Sequence, residues 1–421
     1  MNRLHVFVAG LAPLLLASLG QAQPLNFAPF HSNGIYGLGE KAGWTVSLAP
    51  GATAPSAKYR YEIKKNDFDT IRTGTLDLTP GSGTIETTLA EPAMIYVTVT
   101  AEGAPPASAI HLGAAVAPTQ LKPSVPRPAD FDIFWEAKLQ NLTFTPINAP
   151  LAPATTKNGV ELSTVQLDCF GTRAHGYLAK PAKMGQFPAL VIFEDAGVHP
   201  LQPATVTDRA AEGWLAFNVD AHDLPPNFPP NLGVPPNYEA IGNANRETSY
   251  FLNMYLRDAR AVDYIASRFD WDGKTIVLMG AGMGGQQALV TAALRPNVSA
   301  VIVNEPTGAD SNGELHGRKA GYPNWPSNNP AIMNTAQYFD PVNFAPRIRA
   351  LVVAAMGFLD TTAPPAGIWI ALNQVPGAKE AVPMVESDHY DRTPDKQGAY
   401  QSRSRALLDT LLHGGRFAPV P

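Results

Sequence analysis

The arrangement of apolar and polar positions divides the chain into two parts with different periodicities. Between Trp44 and Ala117, apolar and polar residues alternate in short runs at 58–63, 71–78 and 94–99, with Pro-Gly and Gly-Ser turns between them. A period of two predicts half-buried strands, and several short strands separated by turns predict a small antiparallel β-sandwich. We assign this sandwich to residues 23–118 and interpret the Pro-rich segment 119–128 as a linker.

Beyond the linker, strand-like apolar runs alternate with helical patterns. The apolar runs lie at 164–168, 189–193, 214–219, 275–279, 300–303 and 350–354, and the helical patterns include 255–269, 286–294 and 366–373. This alternation predicts an α/β domain over residues 129–421, with a doubly wound, mostly parallel sheet covered on both faces. In such a domain ligands bind at the carboxyl ends of the strands.

The amino-terminal residues have the pattern of a signal peptide. Arg3 precedes an apolar run at 6–19, and small residues follow it up to Ala22. The run is shorter than the roughly 20 residues that a membrane-spanning helix needs. We therefore expect residues 1–22 to be removed and the protein to be secreted or periplasmic.

Composition narrows the classes of function. A net charge of -5 without a basic block argues against nucleic acid and anionic membrane surfaces as partners. The single cysteine, Cys169, excludes an intrachain disulfide framework and a thiolate zinc cluster. We expect no cofactor.

The clearest chemical signal is the run 275–289, which reads as a buried strand, a tight glycine turn and a helix. This is the setting of the G-x-S-x-G nucleophile elbow of serine hydrolases, but Gly282 stands where the serine would be. The Met283 amide would begin the helix, where an oxyanion is stabilised. Asp360 and His389 follow later apolar runs, so the order is that of nucleophile, acid and histidine in α/β-hydrolases.

Other interpretations remain open from the residues alone. Gly280, Gly282 and Gly285 also satisfy the dinucleotide motif G-x-G-x-x-G, and Glu305 follows at a spacing that suits a ribose contact. That motif comes late in the domain, however, and an exported protein meets little NAD.

A second alternative is a metal-dependent hydrolase, because acidic and imidazole groups follow several strands. These groups are Glu194, Asp195, His199, Asp220, His222, Asp223, Glu305, Asp360, Asp388 and His389.

A third alternative is a non-catalytic carbohydrate-binding protein. Tyr238, Tyr322 and Trp325 lie in long loops, where aromatic rings can stack on sugars. Of these, we name Trp325 as a candidate substrate-binding residue.

Five ordered segments resemble the acetyl xylan esterase and cephalosporin-C deacetylase family. They lie at 127–135, 168–176, 255–262, 338–348 and 357–365, and the similarity extends over roughly residues 120–415. The resemblance implies an α/β-hydrolase that removes acetyl groups from xylan, xylo-oligosaccharides or related small esters, commonly as a homo-oligomer. It implies that Asp360 and His389 are the acid and base.

The chain departs from the family pattern at two places. The family's serine would fall on Gly282, and a neutral oxyanion-hole turn is replaced by Glu194-Asp195-Ala196-Gly197. By this alignment the amides of Met283 and Ala196 form the oxyanion hole, and Glu194 and Asp195 adjoin the substrate. A carboxylate facing that hole would oppose a developing oxyanion. We therefore expect weak, altered or absent serine-type activity.

Overall fold

The computed structural model describes residues 25–50, 58–150, 152, 154–220, 222–229 and 234–420. The predicted signal peptide at 1–22 lies outside the described residues. Of the helices in this part of the chain, none combines the length and the apolar character needed to cross a bilayer.

The amino-terminal part is built from two packed sheets. A three-stranded sheet has the order β1-β3-β6, and a five-stranded sheet has the order β2-β8-β7-β4-β5. Their strands are β1 (Leu25–Pro29), β2 (Ile35–Tyr36), β3 (Lys41–Leu48), β4 (Tyr59–Lys65), β5 (Asp69–Leu76), β6 (Ser82–Thr88), β7 (Ala93–Ala101) and β8 (Ile110–Val116). The pairs are antiparallel except for the short pair β2–β8, which is parallel. Alternate residues such as Tyr59, Tyr61 and Ile63 point into a common core, as the period of two predicts.

The larger part contains a nine-stranded sheet in the order β17-β16-β15-β14-β12-β13-β11-β10-β9. The strands are β9 (Thr155–Lys157), β10 (Val160–Cys169), β11 (Thr172–Pro181), β12 (Phe187–Phe193), β13 (Leu215–Val219), β14 (Trp271–Ala281), β15 (Ala300–Asn304), β16 (Leu351–Gly357) and β17 (Lys379–Met384). Strands β12 to β17 are parallel, and β9 to β11 form an antiparallel extension. The predicted α/β class with an amino-terminal β region is confirmed.

Helices cover both faces of this sheet, which is why strands such as β13 and β15 are buried throughout. The helices are α1 (Phe131–Phe144), α2 (Ala204–Glu212), α3 (Tyr250–Ser267), α4 (Gly282–Leu294), α5 (Pro330–Ala336), α6 (Pro341–Phe344), α7 (Pro365–Gln374) and α8 (Pro394–Leu412). The carboxyl ends of β12, β14, β15 and β16 meet at one edge of the sheet, where their loops form a common site.

The sandwich packs directly against the α/β domain, on the loop that follows β16. Met94, Tyr96 and Ala115 belong to the main core of the larger domain. A Cβ at Gly113 would lie 2.5 Å from the Phe358 carbonyl oxygen, so the two backbones approach closely. The Pro-rich segment is also held in place, because the Asn373 amide donates to the Pro118 and Leu121 carbonyls at 3.0 Å each. The segment is therefore anchored to α7 at its amino-terminal end.

We predict that Trp135→Ala lowers the free energy of unfolding by about 3–5 kcal/mol. The indole is fully buried, packs on Phe344 and Tyr255, and donates to the Tyr338 carbonyl at 2.9 Å. Chemical denaturation followed by far-ultraviolet circular dichroism measures the change. Ile133→Ala, in the same helix but 71% exposed, is the control and should change stability by no more than about 0.5 kcal/mol. Equal effects of the two substitutions would contradict the packing.

Candidate active site

The turn between β14 and α4 has the geometry of a nucleophile elbow. Gly282 is the first residue of α4 and has a φ of +52°, in the left-handed region. A Cβ at Gly284 would lie 2.3 Å from the Phe193 carbonyl oxygen, so this glycine lets the start of the helix approach β12. The strand, strained turn and helix therefore match the structural context of the elbow motif, with glycine at its apex.

The side chain of Asp195 fills the space beside this glycine. A Cβ at residue 282 would lie 1.9 Å from Asp195 Oδ1 and 2.5 Å from Asp195 Cγ. The same Oδ1 atom accepts hydrogen bonds from the backbone amides of Ala196, at 2.7 Å, and Met283, at 3.0 Å. The two amides that we expected to form an oxyanion hole therefore converge on one point, and a carboxylate oxygen occupies it.

Asp360 and His389 form a buried pair at the same edge of the sheet. His389 Nδ1 lies 2.8 Å from Asp360 Oδ2. The other carboxylate oxygen, Oδ1, accepts from the backbone amides of Thr362, at 2.8 Å, and Ala363, at 2.7 Å. A carboxylate held on both oxygens fixes the orientation of the imidazole and leaves Nε2 as its free nitrogen, as in a triad.

The electrostatic surroundings favour the protonated form of His389. Burial by itself lowers the pKa of the imidazole, but the hydrogen bond and charge of Asp360 oppose this effect. The charges of Asp195 and Glu305 act in the same direction as Asp360, and the pKa of His389 is raised above its usual value.

Glu305 joins the site from the end of β15. It is fully buried, has a φ of +49°, and its Oε2 lies 3.3 Å from Arg392 Nη1. Burial, together with the charge of Asp360, raises the pKa of Glu305 to about 7. Its Oε1 accepts from Ser387 Oγ at 3.3 Å and Gln397 Nε2 at 3.4 Å. Glu305 is thus an internal member of the site, whereas the dinucleotide interpretation needs it to be exposed for a ribose contact.

Ligand atoms of Glu305, Asp360 and His389 all lie within 4.8 Å of one another. These three belong to the ten acidic and imidazole residues considered for a metal site. Several of the others have partners elsewhere. His222 hydrogen-bonds the Gly197 carbonyl at 2.9 Å, and Asp223 pairs with His175 at 3.1 Å. The rim residues therefore do not converge as one group.

One predicted substrate contact needs correction, and another stays a prediction. Glu194 Oε1 accepts from Asn218 Nδ2 at 2.9 Å, and Glu194 lines a cavity with Asp195 beside the elbow. Trp325 is only 6% exposed and packs on Phe251 with ring centroids 5.5 Å apart, so it belongs to the core and is not available to stack on a sugar. Of Glu194, Asp195 and Trp325, only Asp195 meets the elbow.

The sequence did not single out Arg392, and it named Tyr238 and Tyr322 only as rings that could stack on sugars. Arg392 Nη2 lies 3.9 Å from Asp195 Oδ2, which places one positive charge among the site's carboxylates. The Tyr238 hydroxyl accepts from the Gly197 amide at 3.3 Å and lies 2.9 Å from the Tyr322 hydroxyl. A polar role for this pair was not foreseen, because long loops separate the two residues along the chain. The feature of the sequence that could have pointed to Arg392 as a site residue is its position three residues after His389.

The sandwich contributes to a cavity beside the dyad. Lys64, Tyr96 and His111 from the sandwich line the same cavity as His389 and its neighbour Tyr390. The Tyr96 hydroxyl also donates to the Asp360 backbone carbonyl at 3.4 Å. The amino-terminal domain therefore forms one wall of the approach to His389 and supports the loop that carries its partner.

Comparisons with known proteins agree with this arrangement. The family model for acetyl xylan esterase (AXE1) matches residues 119–313 and 319–403. An acetyl esterase, Axe7A of Xylanibacter ruminicola, is 29% identical over 385 residues, which cover 86% of each chain. Among solved structures, an acetyl xylan esterase from Paenibacillus sp. R4 has 23% identity and a TM-score of 0.60, and covers 69% of this chain and 98% of its own.

A second solved structure has the same fold. Acetyl xylan esterase 1 from Thermoanaerobacterium sp. JW/SL YS485 has 21% identity and a TM-score of 0.58, and covers 68% of this chain and 96% of its own. The relatives with solved structures thus correspond in extent to the α/β domain, whereas the match to Axe7A spans most of the chain.

We predict that His389 and His222 titrate on opposite sides of the ordinary histidine value. Burial lowers the pKa of His222 to about 4, so its imidazole stays neutral as the pH falls through 6.5. His389 stays protonated as the pH rises through the same value. Imidazole ¹⁵N chemical shifts, assigned with His389→Gln and His222→Gln, measure both values.

Asp360→Asn provides the matched test of cause. It removes the charge and hydrogen bond that most strongly raise the pKa of His389 while burial remains, so the His389 pKa should fall relative to the wild-type protein. The raised pKa of His389 also makes the stability of the fold depend on pH. His389 stabilises the wild-type fold fully below pH 6.5, and this contribution is lost as the pH rises through the folded pKa. An unchanged His389 titration in Asp360→Asn would contradict the pairing.

Proposed function

Because the chain belongs to the acetyl xylan esterase family, we propose that it is an exported carbohydrate-directed hydrolase scaffold whose serine nucleophile has been lost. Its ligands are acetylated xylan fragments or related small esters, and it hydrolyses them weakly or not at all by serine chemistry. The absence of a hydroxyl at Gly282, with Asp195 in the adjoining space, carries this proposal. The leader pattern at residues 1–22 supports export.

Loss of the nucleophile removes the covalent step of the reaction. In a serine protease, removal of the triad serine lowers turnover by about a millionfold, while binding and oxyanion contacts leave a residual rate. The dyad of Asp360 and His389 is intact here, so the residual chemistry available is activation of a water molecule. A water attack of this kind would still need the oxyanion hole.

The position of Asp195 opposes that residual reaction as well. An ester carbonyl develops negative charge on its oxygen and must receive the amides of Ala196 and Met283. Asp195 Oδ1 already accepts both of these hydrogen bonds. An ionised carboxylate at this point excludes the carbonyl oxygen sterically and repels its developing charge. The two departures from the family pattern therefore reinforce each other.

We expect wild-type protein to release acetate from acetylated xylo-oligosaccharides or 4-nitrophenyl acetate only slightly faster than buffer. Gly282→Ser alone should remain near this level, because its Cβ would overlap Asp195 Oδ1. The double variant Gly282→Ser with Asp195→Ala should gain at least about 100-fold, part of the millionfold that a serine supplies. Acetate release under saturating substrate measures the change.

Gly282→Ser with Glu194→Gln is the matched control, because the Glu194 side chain accepts from Asn218, whereas that of Asp195 accepts the elbow amides. It should not differ from Gly282→Ser alone. Family-like turnover by the wild-type protein would refute the proposal. Calorimetry with xylo-oligosaccharides distinguishes a weak esterase from a non-catalytic carbohydrate-binding protein. Micromolar binding without product indicates the binding protein.

A metal-dependent hydrolase is the second candidate, favoured by the close approach of Glu305, Asp360 and His389. The guanidinium of Arg392, 3.3 Å from Glu305, works against a divalent cation there. This candidate requires about one equivalent of a divalent metal in protein purified without chelator, and its loss in Glu305→Gln. Elemental analysis decides it, and protein without bound metal would exclude it.

A further inference from the structure

Asp195 occupies the place where a nucleophilic side chain at residue 282 would begin. Any side chain at Gly282 would put a Cβ 1.9 Å from Asp195 Oδ1, so the two groups cannot both occupy these positions unless the Asp195 side chain moves. The left-handed φ of Gly282 keeps the elbow geometry although no side chain projects from it. The carboxylate of a neighbouring loop therefore stands at the centre of an otherwise complete hydrolase site.

The two oxygens of this carboxylate have different surroundings. Oδ1 accepts the amides of Ala196 and Met283, which polarises the carboxyl carbon. Among the described residues, no hydrogen bond to Oδ2 is present, and the Arg392 guanidinium lies 3.9 Å away. The side chain is 39% exposed, so a small molecule can reach it. Oδ2 is thus an accessible oxygen of a carboxylate that is fixed at its other end.

This arrangement suits attack on a saturated carbon better than attack on an ester. An ester carbonyl needs the amides that Oδ1 holds, whereas a saturated carbon carries no oxygen that must enter the hole. Attack through Oδ2 converts Asp195 into an alkyl ester whose carbonyl oxygen, Oδ1, already lies between the two amides. A water activated by His389 can then attack this ester with its oxyanion stabilised from the start.

We propose that Asp195 is a catalytic nucleophile that displaces an anionic leaving group, such as a halide or sulfate, from a saturated carbon of a small substrate. This activity goes beyond the proposed function, because it uses the site for a different class of bond. The Asp195 carboxylate, the backbone amides of Ala196 and Met283, and the dyad of Asp360 and His389 would all take part in this reaction. It also explains why the loss of a side chain at residue 282 accompanies an acid at residue 195.

The steps balance with water as the only co-reactant. The bond from Asp195 Oδ2 to carbon forms as the bond from carbon to the leaving group breaks, and the leaving anion takes that electron pair. Water then adds to Asp195 Cγ while His389 Nε2 takes its proton. The oxyanion at Oδ1 collapses, the bond from Cγ to the alkyl oxygen breaks, and the departing alcohol takes the proton from His389. The regenerated carboxylic acid releases its proton to solvent.

These reaction steps transfer one carboxylate oxygen of Asp195 to the alcohol product. The first turnover in H₂¹⁸O should therefore give unlabelled alcohol and place one ¹⁸O atom in Asp195. We suggest 2-bromoethanol as the probe, with the full-length mature protein in molar excess. Mass spectrometry of the peptide that contains Asp195 and of the ethylene glycol product provides both readouts, and ion chromatography measures bromide.

Variants separate the two steps. His389→Gln should release bromide once and accumulate a hydroxyethyl ester on Asp195, because the hydrolysis step lacks its base. Asp195→Asn retains an oxygen for the two amides, but bromide release should fall at least about 100-fold, as expected for a lost nucleophile. Glu194→Gln is the neighbouring control and should behave as the wild-type protein. Circular dichroism checks that each variant is folded.

Several results would overturn the assignment. These are ¹⁸O in the alcohol after the first turnover, an adduct on another residue, or bromide release that does not exceed buffer. The acetate assay with Gly282→Ser is a separate measurement, so the loss of serine chemistry can stand if the role of Asp195 fails. Conversely, incorporation of ¹⁸O into Asp195 would support its role as the nucleophile even if the wild-type protein also proved to be an active acetyl esterase.

Discussion

The contact between the carboxylate of Asp195 and the elbow at Gly282 is the constraint on which the site depends. One oxygen atom accepts the amides of Ala196 and Met283 and lies where a Cβ at residue 282 would be. A side chain on the elbow and an acid on the facing turn therefore cannot coexist without movement. The two positions at which the sequence departs from the pattern it resembles are therefore in direct contact, and a change at one bears on the other.

The rest of the active site is supported from two directions. The backbone amides of Thr362 and Ala363 hold Asp360, and Asp360 orients His389. From the other side, Tyr96 of the sandwich donates to the Asp360 carbonyl, while Gly113 packs on the same loop. A domain that looked like a separate module in the sequence is thus part of the support for the dyad.

The strengths and failures of the sequence-based predictions have physical causes. Periodicity located the strands because a sheet with one buried face imposes alternation, and a sheet covered by helices imposes continuous apolar runs. Trp325 was misjudged because an aromatic residue in a long loop can cap the core as well as face solvent, and here it packs on Phe251. Arg392 was missed because an isolated arginine in a loop carries no local pattern. The anchoring of the segment 119–128 by the Asn373 side chain was not foreseen, because proline content indicates stiffness but not which distant side chain will contact the segment.

The sequence alone determined the two-part organisation, the α/β class, the elbow without its serine and the order of Asp360 and His389. These features depend on local residue patterns along the chain. Only the tertiary structure decided which of the two adjacent acids, Glu194 or Asp195, meets the elbow, because a change of one residue at the end of a strand reverses the direction of a side chain. It also decided that Glu305 is buried beside the dyad, since that contact joins loops at the ends of three strands that are far apart in the chain.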